Sequence, residues 1–324
     1  IKIALKSLNV GPGDEVITQA FNFIATIEAI LDVGAKPIIA NVDDTLNINV
    51  NEIQKLISTK TKVILPVHML GVSVDMDGIN KIAKKNNLKI LEDNCESVGT
   101  KFNGKYLGTI GHVGALSFDY GKIITTGEGG MILTNNISID KYAREYHDHG
   151  HMYNENLPRG RDTHRIHGFN YRMTEIQAVI AKVQLEKLDY IVRKNRKNYS
   201  IIESALLEIK GIRLRKIPNQ CKPLCDTLIL QFDSKDMADR FVDGIESEGL
   251  GTKNVPDAIE WHFVKYWDHM LSYFQLDIDE LNDSLENSTK ILEKCVALPI
   301  MVKTSSNELS KQVRILKNII YSII

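Results

Sequence analysis

Between residues 9 and 135, short apolar runs alternate with amphipathic segments, and this alternation constrains the fold more than any other feature. The runs include KPIIANV, KVILPVHML, LKILEDN and GALSFDYG, and the segments include FIATIEAILDVGA and MDGINKIAKKNN. Parallel strands covered on both faces are continuously apolar, and they need helical crossovers of this kind. The pattern therefore predicts an α/β fold with a mainly parallel sheet covered by helices.

The second half of the sequence predicts a connecting helix and a smaller domain. A helical pattern without Pro or Gly runs over residues 173–209, and the short strands and helices after it indicate an α+β arrangement. The predicted organisation is a large domain over 1–172, the connecting helix over 173–209 and a small domain over 210–324. The chain starts with IKIALKSL, without Met and without a helix cap, so we expect further residues to precede Ile1.

Composition limits the classes of partner. The 324 residues include 40 Lys and Arg against 41 Asp and Glu, a formal net charge of -1, so no concentrated basic face for nucleic acid is expected. No stretch approaches the roughly 18 consecutive apolar residues of a membrane span. Four cysteines are few for a disulfide scaffold and favour a reducing compartment. We expect a cytoplasmic protein with neither a nucleic-acid nor a membrane partner.

Asp93 is the first candidate for chemistry. It follows the apolar run LKIL and should lie at the carboxyl end of a parallel strand, where open α/β sheets bind ligands. The alternative is that Asp93 only caps the following turn.

Lys122 is the second candidate, because it interrupts an apolar segment, SFDYGKIITTGEGG, between two predicted strands. A buried lysine loses hydration, so its pKa should fall and its neutral amine could form a Schiff base. The alternative is a lysine that extends to solvent from a strand end. Pyridoxal phosphate requires an amine, a carboxylate at its pyridine nitrogen and hydroxyl or small residues at its phosphate. Asp93, Lys122 and Ser117 supply that set.

The sequence resembles a known family in a series of motifs that follow the family order over nearly the whole chain. They are GPGDEVI, FNFIAT, GAKPIIANVD, PVHMLG, LEDNCESVGTKFNGKYLGTIGHVGALSF, SFDYGK, GEGGMILT, DHG, GFNYRMTEIQA and a late LP. On these motifs the chain resembles the DegT/DnrJ/EryC/StrS family of pyridoxal-phosphate-dependent sugar aminotransferases, with an aspartate-aminotransferase-like fold. The resemblance implies transfer of the amino group of L-glutamate to a keto sugar in surface polysaccharide, such as lipopolysaccharide, or related biosynthesis.

The resemblance also implies roles around the cofactor ring. Lys122 matches the lysine that bonds to the cofactor and moves the proton, and Asp93 matches the carboxylate that keeps the pyridine nitrogen protonated. Phe23 matches the aromatic residue stacked on the ring, with Phe21 as the alternative. Glu96 lies where many relatives carry Gln or His beside the ring hydroxyl.

Two residues match the phosphate site. Ser117 matches a phosphate ligand, and Asn170 in GFNYRM matches a residue that reaches the phosphate from the neighbouring subunit. The resemblance therefore implies a homodimer with shared active sites. A Ser-Gly-Thr turn of the family would fall immediately before Ile1.

The acidic side chain of Glu96 leaves two alternatives open. It resembles the branch of sugar 3-dehydratases that use the amine form of the same cofactor, but those enzymes carry His at the position of Lys122, so transamination is favoured. The second alternative is a non-catalytic regulator on the same fold, which the intact cofactor residues oppose.

Candidate substrate contacts lie in two segments. Arg159, Arg161 and Arg165 in the loop PRGRDTHRIHG could pair with a carboxylate or phosphate on the sugar, or form a solvated charged loop. Trp261 and His262 match a region near the sugar pocket of relatives, although the helical spacing of EWHFVKYWDHM favours core packing. The motifs DNCES, YHDHGH and PRGRDTHRIHGFNYRM resemble the 8-amino-3,8-dideoxy-manno-octulosonate transaminase branch.

Three other patterns are interpreted as structural. Five histidines between residues 147 and 167 suggest zinc, but we favour a loop and expect no metal. CKPLC, at 221–225, lacks a second cysteine pair and predicts free thiols. The glycine run GKYLGTIGHVG precedes a strand rather than a helix, so an NAD-dependent oxidoreductase is only a weak alternative.

Overall fold

The computed structural model describes residues 1–272 and 276–324, and the three residues between them fall within the predicted small domain. In chain order, the strands of the described residues are β1 (Glu15–Gln19), β2 (Lys36–Ala40), β3 (Thr61–Ile64), β4 (Lys89–Asp93), β5 (Lys101–Phe102), β6 (Lys105–Tyr106), β7 (Val113–Ser117), β8 (Gly130–Leu133), β9 (Ile212–Leu214), β10 (Cys221–Lys222), β11 (Thr227–Phe232) and β12 (Cys295–Pro299).

The helices of these residues are α1 (Lys2–Ser7), α2 (Ala25–Asp32), α3 (Val50–Leu56), α4 (Met76–Asn86), α5 (Ile137–His147), α6 (Glu175–Glu186), α7 (Leu188–Leu206), α8 (Lys235–Ser247), α9 (Ile259–His262), α10 (Asp268–Leu271), α11 (Ile278–Ser284), α12 (Glu286–Leu292) and α13 (Ser306–Ile323). Three-residue 3-10 helices lie at Met69–Gly71, Arg159–Arg161 and Val264–Tyr266. None of these helices is long and apolar enough to cross a membrane.

A six-stranded sheet in the order β2-β1-β3-β4-β7-β8 forms the larger part of the molecule. Its strands pair in parallel except for β8, which is antiparallel to β7. The predicted α/β fold is confirmed. Because β4 and β7 are parallel and neighbours, Asp93 and Ser117, their last residues, lie at the same edge of the sheet.

A three-stranded antiparallel sheet in the order β12-β11-β9 forms the smaller part, with α8 and α13 packed beside it. The chain returns from this part to the larger one twice. Strand β10 pairs with β5, and Trp267 and Leu285 belong to the same apolar core as Val16. Trp267 and Leu285 therefore pack in the core of the large sheet, whereas β10 joins a separate three-stranded sheet with β5 and β6.

The predicted connecting helix is two consecutive helices, α6 and α7, that meet at Lys187. The N–H of Lys187 bonds to the carbonyl of Gln184, a 3-10 contact that ends α6. The backbone of Lys187 stays in the right-handed helical region, with φ of -88° and ψ of -9°. Since this break between the helices needs neither Pro nor Gly, the sequence carries no signal for it.

The buried side chain of Glu92 holds the turn in the glycine run that precedes β7. Its side chain is fully buried, contacts Nε2 of His68 at 3.1 Å, and accepts three backbone N–H groups at 2.6 to 2.8 Å: those of Gly108, Ile110 and Gly111. Burial would raise the pKa of Glu92, but His68 and the backbone N–H groups hold it below its ordinary value. Successive strand residues face opposite sides, so Glu92 fixes this turn while Asp93 faces the other way.

Candidate functional site

Asp93 is held rigidly at the carboxyl end of β4. The residue is 3% exposed, and its Oδ2 accepts the hydroxyl of Thr26, on α2, at 2.9 Å. Its Oδ1 accepts the N–H of Cys95 at 3.2 Å. These two donors fix the plane of the carboxylate, so Asp93 can present a defined face to a cationic partner. Thr26 was not predicted, because its contact spans 67 positions of sequence.

Lys122 lies in the loop between β7 and β8, with its side chain 22% exposed and its Nζ 3.5 Å from Oε1 of Glu96. Burial alone would lower the pKa of Lys122, but Glu96, Cys95, Asp93 and Asp119 together raise it above its ordinary value. The predicted fall in pKa is therefore wrong for this state of the protein. The reason is that nearby negative charge outweighs the loss of hydration.

Three polar groups surround the carboxylate of Glu96. The N–H of Leu70 donates to Oε2 at 3.3 Å, Nδ2 of Asn254 lies 3.4 Å from Oε1, and Nε2 of His262 lies 4.0 Å from the same oxygen. Burial would raise the pKa of Glu96, but Lys122 and other neighbouring cations hold it below its ordinary value. Glu96 and Lys122 therefore form an ion pair at neutral pH.

His262 has the hydrogen bonds of a neutral imidazole. Its Nδ1 is 2.7 Å from the carbonyl of Ala258, which can only accept, and its Nε2 is 2.7 Å from Nδ2 of Asn254, which can only donate. Burial is the main reason that the pKa of His262 is lowered. The imidazole therefore faces the site with its unprotonated nitrogen engaged by Asn254, another residue that the sequence did not reveal.

Aromatic side chains border this group. Phe23 is 42% exposed and its ring stacks on that of Trp261, with 6.4 Å between centroids and 19° between planes, whereas Phe21 is fully buried. Trp261 is 60% exposed, so the expectation that it packs in the core is wrong, although Val264 and Trp267 do. The predicted single helix is broken here into α9, a 3-10 turn and α10, which turns Trp261 away from the other two.

The two predicted phosphate contacts belong to different segments of the chain. Oγ of Ser117 accepts the N–H of Asp119 at 3.3 Å, at the sheet edge that carries Asp93. Asn170 is exposed and pairs through its backbone with Asp148, at the start of a separate loop.

The loop arginines differ in their partners. Arg159 donates to Asp148 and Arg165 to Glu145, both nearly inaccessible carboxylates, whereas Arg161 is exposed and forms no ion pair within the described chain.

The clustered histidines and the CKPLC cysteines carry side chains of the kind that bind metals. The rings of His151 and His164 lie 4.8 Å apart, and no three His, Cys, Asp or Glu side chains within residues 1–272 and 276–324 are grouped to hold a metal. Cys221 and Cys225 are buried free thiols.

Comparison with known proteins identifies relatives of this arrangement. A sequence model of the DegT/DnrJ/EryC1/StrS aminotransferase family matches residues 1–317. GDP-perosamine synthase of Caulobacter vibrioides is 40% identical over 190 residues, which are 58% of this chain and 50% of that protein. The pleiotropic regulatory protein of Geobacillus stearothermophilus is 38% identical over 213 residues, 65% of this chain and 55% of that one. These alignments span about half the length of the curated relatives.

The fold has a match among solved structures over almost all of its length. The X-ray structure of an aminotransferase from Psychrobacter cryohalolentis superimposes with a TM-score of 0.88 and 29% identity, covering 99% of this chain and 85% of that one. The likeness extends to both the large sheet and the smaller antiparallel sheet.

Proposed function

The chain belongs to the DegT/DnrJ/EryC1/StrS aminotransferase family, and we propose that it is a pyridoxal-phosphate-dependent aminotransferase that transfers the amino group of L-glutamate to a keto sugar. The observation that carries this proposal is a primary amine, Lys122, held 3.5 Å from Glu96 in a loop that begins at the sheet edge of Asp93. Amino transfer requires an amine that can bond to a carbonyl carbon, and Lys122 supplies it. The dehydratases that the chain resembles carry His at this position, which cannot form that bond.

The residues present fit pyridoxal phosphate. Lys122 offers the amine, Asp93 a fixed carboxylate for the pyridine nitrogen, Phe23 an exposed ring for stacking, and Ser117 a hydroxyl at the sheet edge for the phosphate. Bound there, the cofactor supplies the electron sink that makes amino transfer possible. The protein's part is to bind, orient and move protons.

Proton movement at Lys122 starts from an ion pair. The ammonium must release a proton before Nζ can bond to carbon, and Oε1 of Glu96 is placed 3.5 Å away to receive it. Burial opposes both charges, so transfer of the proton neutralises two partly dehydrated groups in one step. The carboxylate of Asp93 would hold the ring nitrogen of the cofactor, and Nζ of Lys122 would take and return the substrate proton.

We propose a homodimer in which α6 is part of the interface. Helix α6 has no buried residue, and five of its large apolar side chains are 40% to 75% exposed: Ile176, Val179, Ile180, Val183 and Leu185. Phe169 and Tyr171, which are also exposed, flank Asn170, the residue proposed to reach the partner's phosphate. An apolar helix face of this length in a folded chain favours burial against a second copy.

Replacing Val179 with Asp should convert the dimer to monomer, because an unpaired carboxylate would be buried in an apolar interface. Sedimentation at micromolar concentration should show the halved mass. Leu207→Asp is the matched control, since Leu207 is 67% exposed at the end of α7 and outside this surface. A Val179→Asp protein that stays dimeric would exclude α6 from the interface.

The acceptor we propose is a nucleotide-linked keto sugar or an 8-oxo-3-deoxy-octulosonate used for surface polysaccharide. The relative named GDP-perosamine synthase supports the first, and the loop arginines support an acidic sugar. Arg161 is the arginine we assign to such an acid, since Arg159 and Arg165 are already paired with carboxylates. Trp261 and His262 would border the sugar, because they lie beside Phe23.

Two other functions have a specific observation in their favour. The acidic Glu96 beside Lys122 supports a sugar dehydratase, and the likeness to a pleiotropic regulatory protein supports a regulatory role.

Product analysis separates the three functions. With pyridoxal phosphate, L-glutamate and a panel of keto sugars, we expect an amino sugar and 2-oxoglutarate in equal amounts, with the visible band of the cofactor lost on adding glutamate. A deoxy sugar without net amine transfer would identify a dehydratase. Absence of any cofactor band would favour the regulator.

A further inference from the structure

Asp148 is a buried carboxylate outside the proposed catalytic group that gathers an unusual number of donors. Its side chain is 1% exposed and accepts both Nη atoms of Arg159, Nη1 of Arg172 and the hydroxyl of Tyr153, the last at 2.9 Å. Arg159 is the main cause of a pKa far below the ordinary value, and Tyr153 and Arg172 lower that pKa further. Two guanidinium groups on one carboxylate hold it ionised at every physiological pH.

The partners of Asp148 come from separate parts of the loop over residues 149–172. Tyr153 is near its start, Arg159 at its 3-10 turn and Arg172 at its end, so one carboxylate ties three points of the loop together. The end of the loop is also tied through the backbone, because Asp148 and Asn170 form an isolated β-bridge. The N–H of Arg172 donates to Oδ1 of Asn170 at 3.3 Å. Asp148 is thus linked to Asn170 through its main chain and through Arg172.

Glu145, one turn earlier on α5, provides a comparison within the same loop. Its side chain is equally inaccessible, at 1% exposure, and it accepts Nη2 of Arg165 at 3.1 and 3.2 Å. Its arginine lies in the middle of the loop and has no contact with the side chain of Asn170 in the described structure. The two carboxylates therefore share burial and partner type, and they differ in whether they are connected to Asn170.

We propose that Asp148 is a positioning residue that orients Asn170, through Arg159 and Arg172, for the phosphate of the cofactor bound to the partner subunit. This inference rests on the proposed function, since it requires pyridoxal phosphate and the dimer. It also gives Arg159 a role different from the predicted one, because its guanidinium is committed to Asp148 and is not free for substrate.

Asp148→Asn keeps the shape of the side chain but removes its charge. The amide nitrogen of the new side chain is a donor and cannot accept a hydrogen bond from a guanidinium. Arg159 or Arg172 must therefore move away. Loss of the Arg172 contact releases the backbone that holds the side chain of Asn170. The consequence should appear in phosphate binding and not in the bond to Lys122.

The test is a titration of the dimeric protein with pyridoxal phosphate, followed by the visible absorption band. Asp148→Asn should raise Kd roughly 10- to 100-fold, the loss expected for charge-assisted hydrogen bonds. The band at saturation should match the wild type, because Lys122 and Asp93 are unchanged. Asn170→Ala should show a similar rise in Kd, and the double variant should be little weaker than Asn170→Ala alone. Glu145→Gln should change Kd by less than about threefold.

The results that would overturn the inference are distinct from failure of the proposed function. An Asp148→Asn protein with wild-type Kd, an effect that multiplies with that of Asn170→Ala, or an equal effect of Glu145→Gln would each overturn the positioning role. If Asp148→Asn does not fold, Arg172→Gln removes the same contact from a side chain that is 40% exposed, and the same outcomes apply. A wild-type protein that forms no band at all would reject the proposed function, and the positioning role with it.

Discussion

Replacing Lys122 with arginine should abolish amino transfer and the visible band of the bound cofactor while leaving the fold intact. Arginine keeps a positive charge beside Glu96, so the ion pair at the centre of the site survives. A guanidinium does not release its proton near neutral pH, and it therefore cannot form the covalent bond to a carbonyl carbon. We expect turnover to fall by roughly 10⁴-fold or more, since the nucleophile and the proton carrier are lost together.

This substitution separates the two roles that Lys122 could have. If the lysine served only to neutralise Glu96, the arginine variant would retain activity and the alanine variant would lose it. If it is the nucleophile, both variants are inactive and only the alanine variant is also destabilised by an unpaired Glu96. Lys105→Arg, at an exposed position on β6, is the control for the exchange itself. Activity above a tenth of wild type in Lys122→Arg would remove the central element of the proposed function.

The fold could be predicted from the sequence because it depends on local patterns of apolar and polar residues. Continuous apolar runs between amphipathic helices determine a parallel sheet, and a polar residue that directly follows such a run is at its carboxyl edge. Asp93 and Ser117 were located in this way, and both end neighbouring strands of the sheet. The break at Lys187 was not predictable, since its residues favour helix on both sides.

The surroundings of the site were not predictable because they depend on distant contacts. Thr26 and Asp93 are 67 positions apart, and Asn254 and Glu96 are 158 positions apart. No pattern in a single sequence marks a threonine on an apolar helix, or an asparagine in a loop, as the partner of a particular carboxylate.

The direction of the pKa shift of Lys122 was predicted wrongly for the same reason. Burial is readable from the neighbouring apolar residues, whereas the compensating charge of Glu96 is known only from the 3.5 Å distance between the two side chains. An amine with a raised pKa needs a proton acceptor before it can react. In the proposed mechanism that acceptor is Glu96.

Replacing Asp93 with asparagine should leave the cofactor bound to Lys122 but slow turnover by roughly 10²- to 10⁴-fold. Asparagine retains an oxygen for the N–H of Cys95, so local structure should persist. Its neutral amide no longer stabilises a protonated ring nitrogen, and the electron sink is weakened at the step in which charge develops. The measurement is kcat for both half-reactions, together with the amplitude of the cofactor band.

Thr26→Val tests the same carboxylate from its other side. It removes one donor and leaves the charge of Asp93, so we expect a smaller loss of about tenfold, as for one hydrogen bond to a charged group. Asp140→Asn, at an exposed residue paired with Arg144 on α5, is the control and should be silent. The loss of turnover should decrease in the order Asp93→Asn, Thr26→Val, Asp140→Asn only if the charge of Asp93 stabilises the protonated ring nitrogen. Equal losses in the first two would mean that Asp93 acts through the geometry of the turn at Cys95, and the role proposed for its charge would then be wrong.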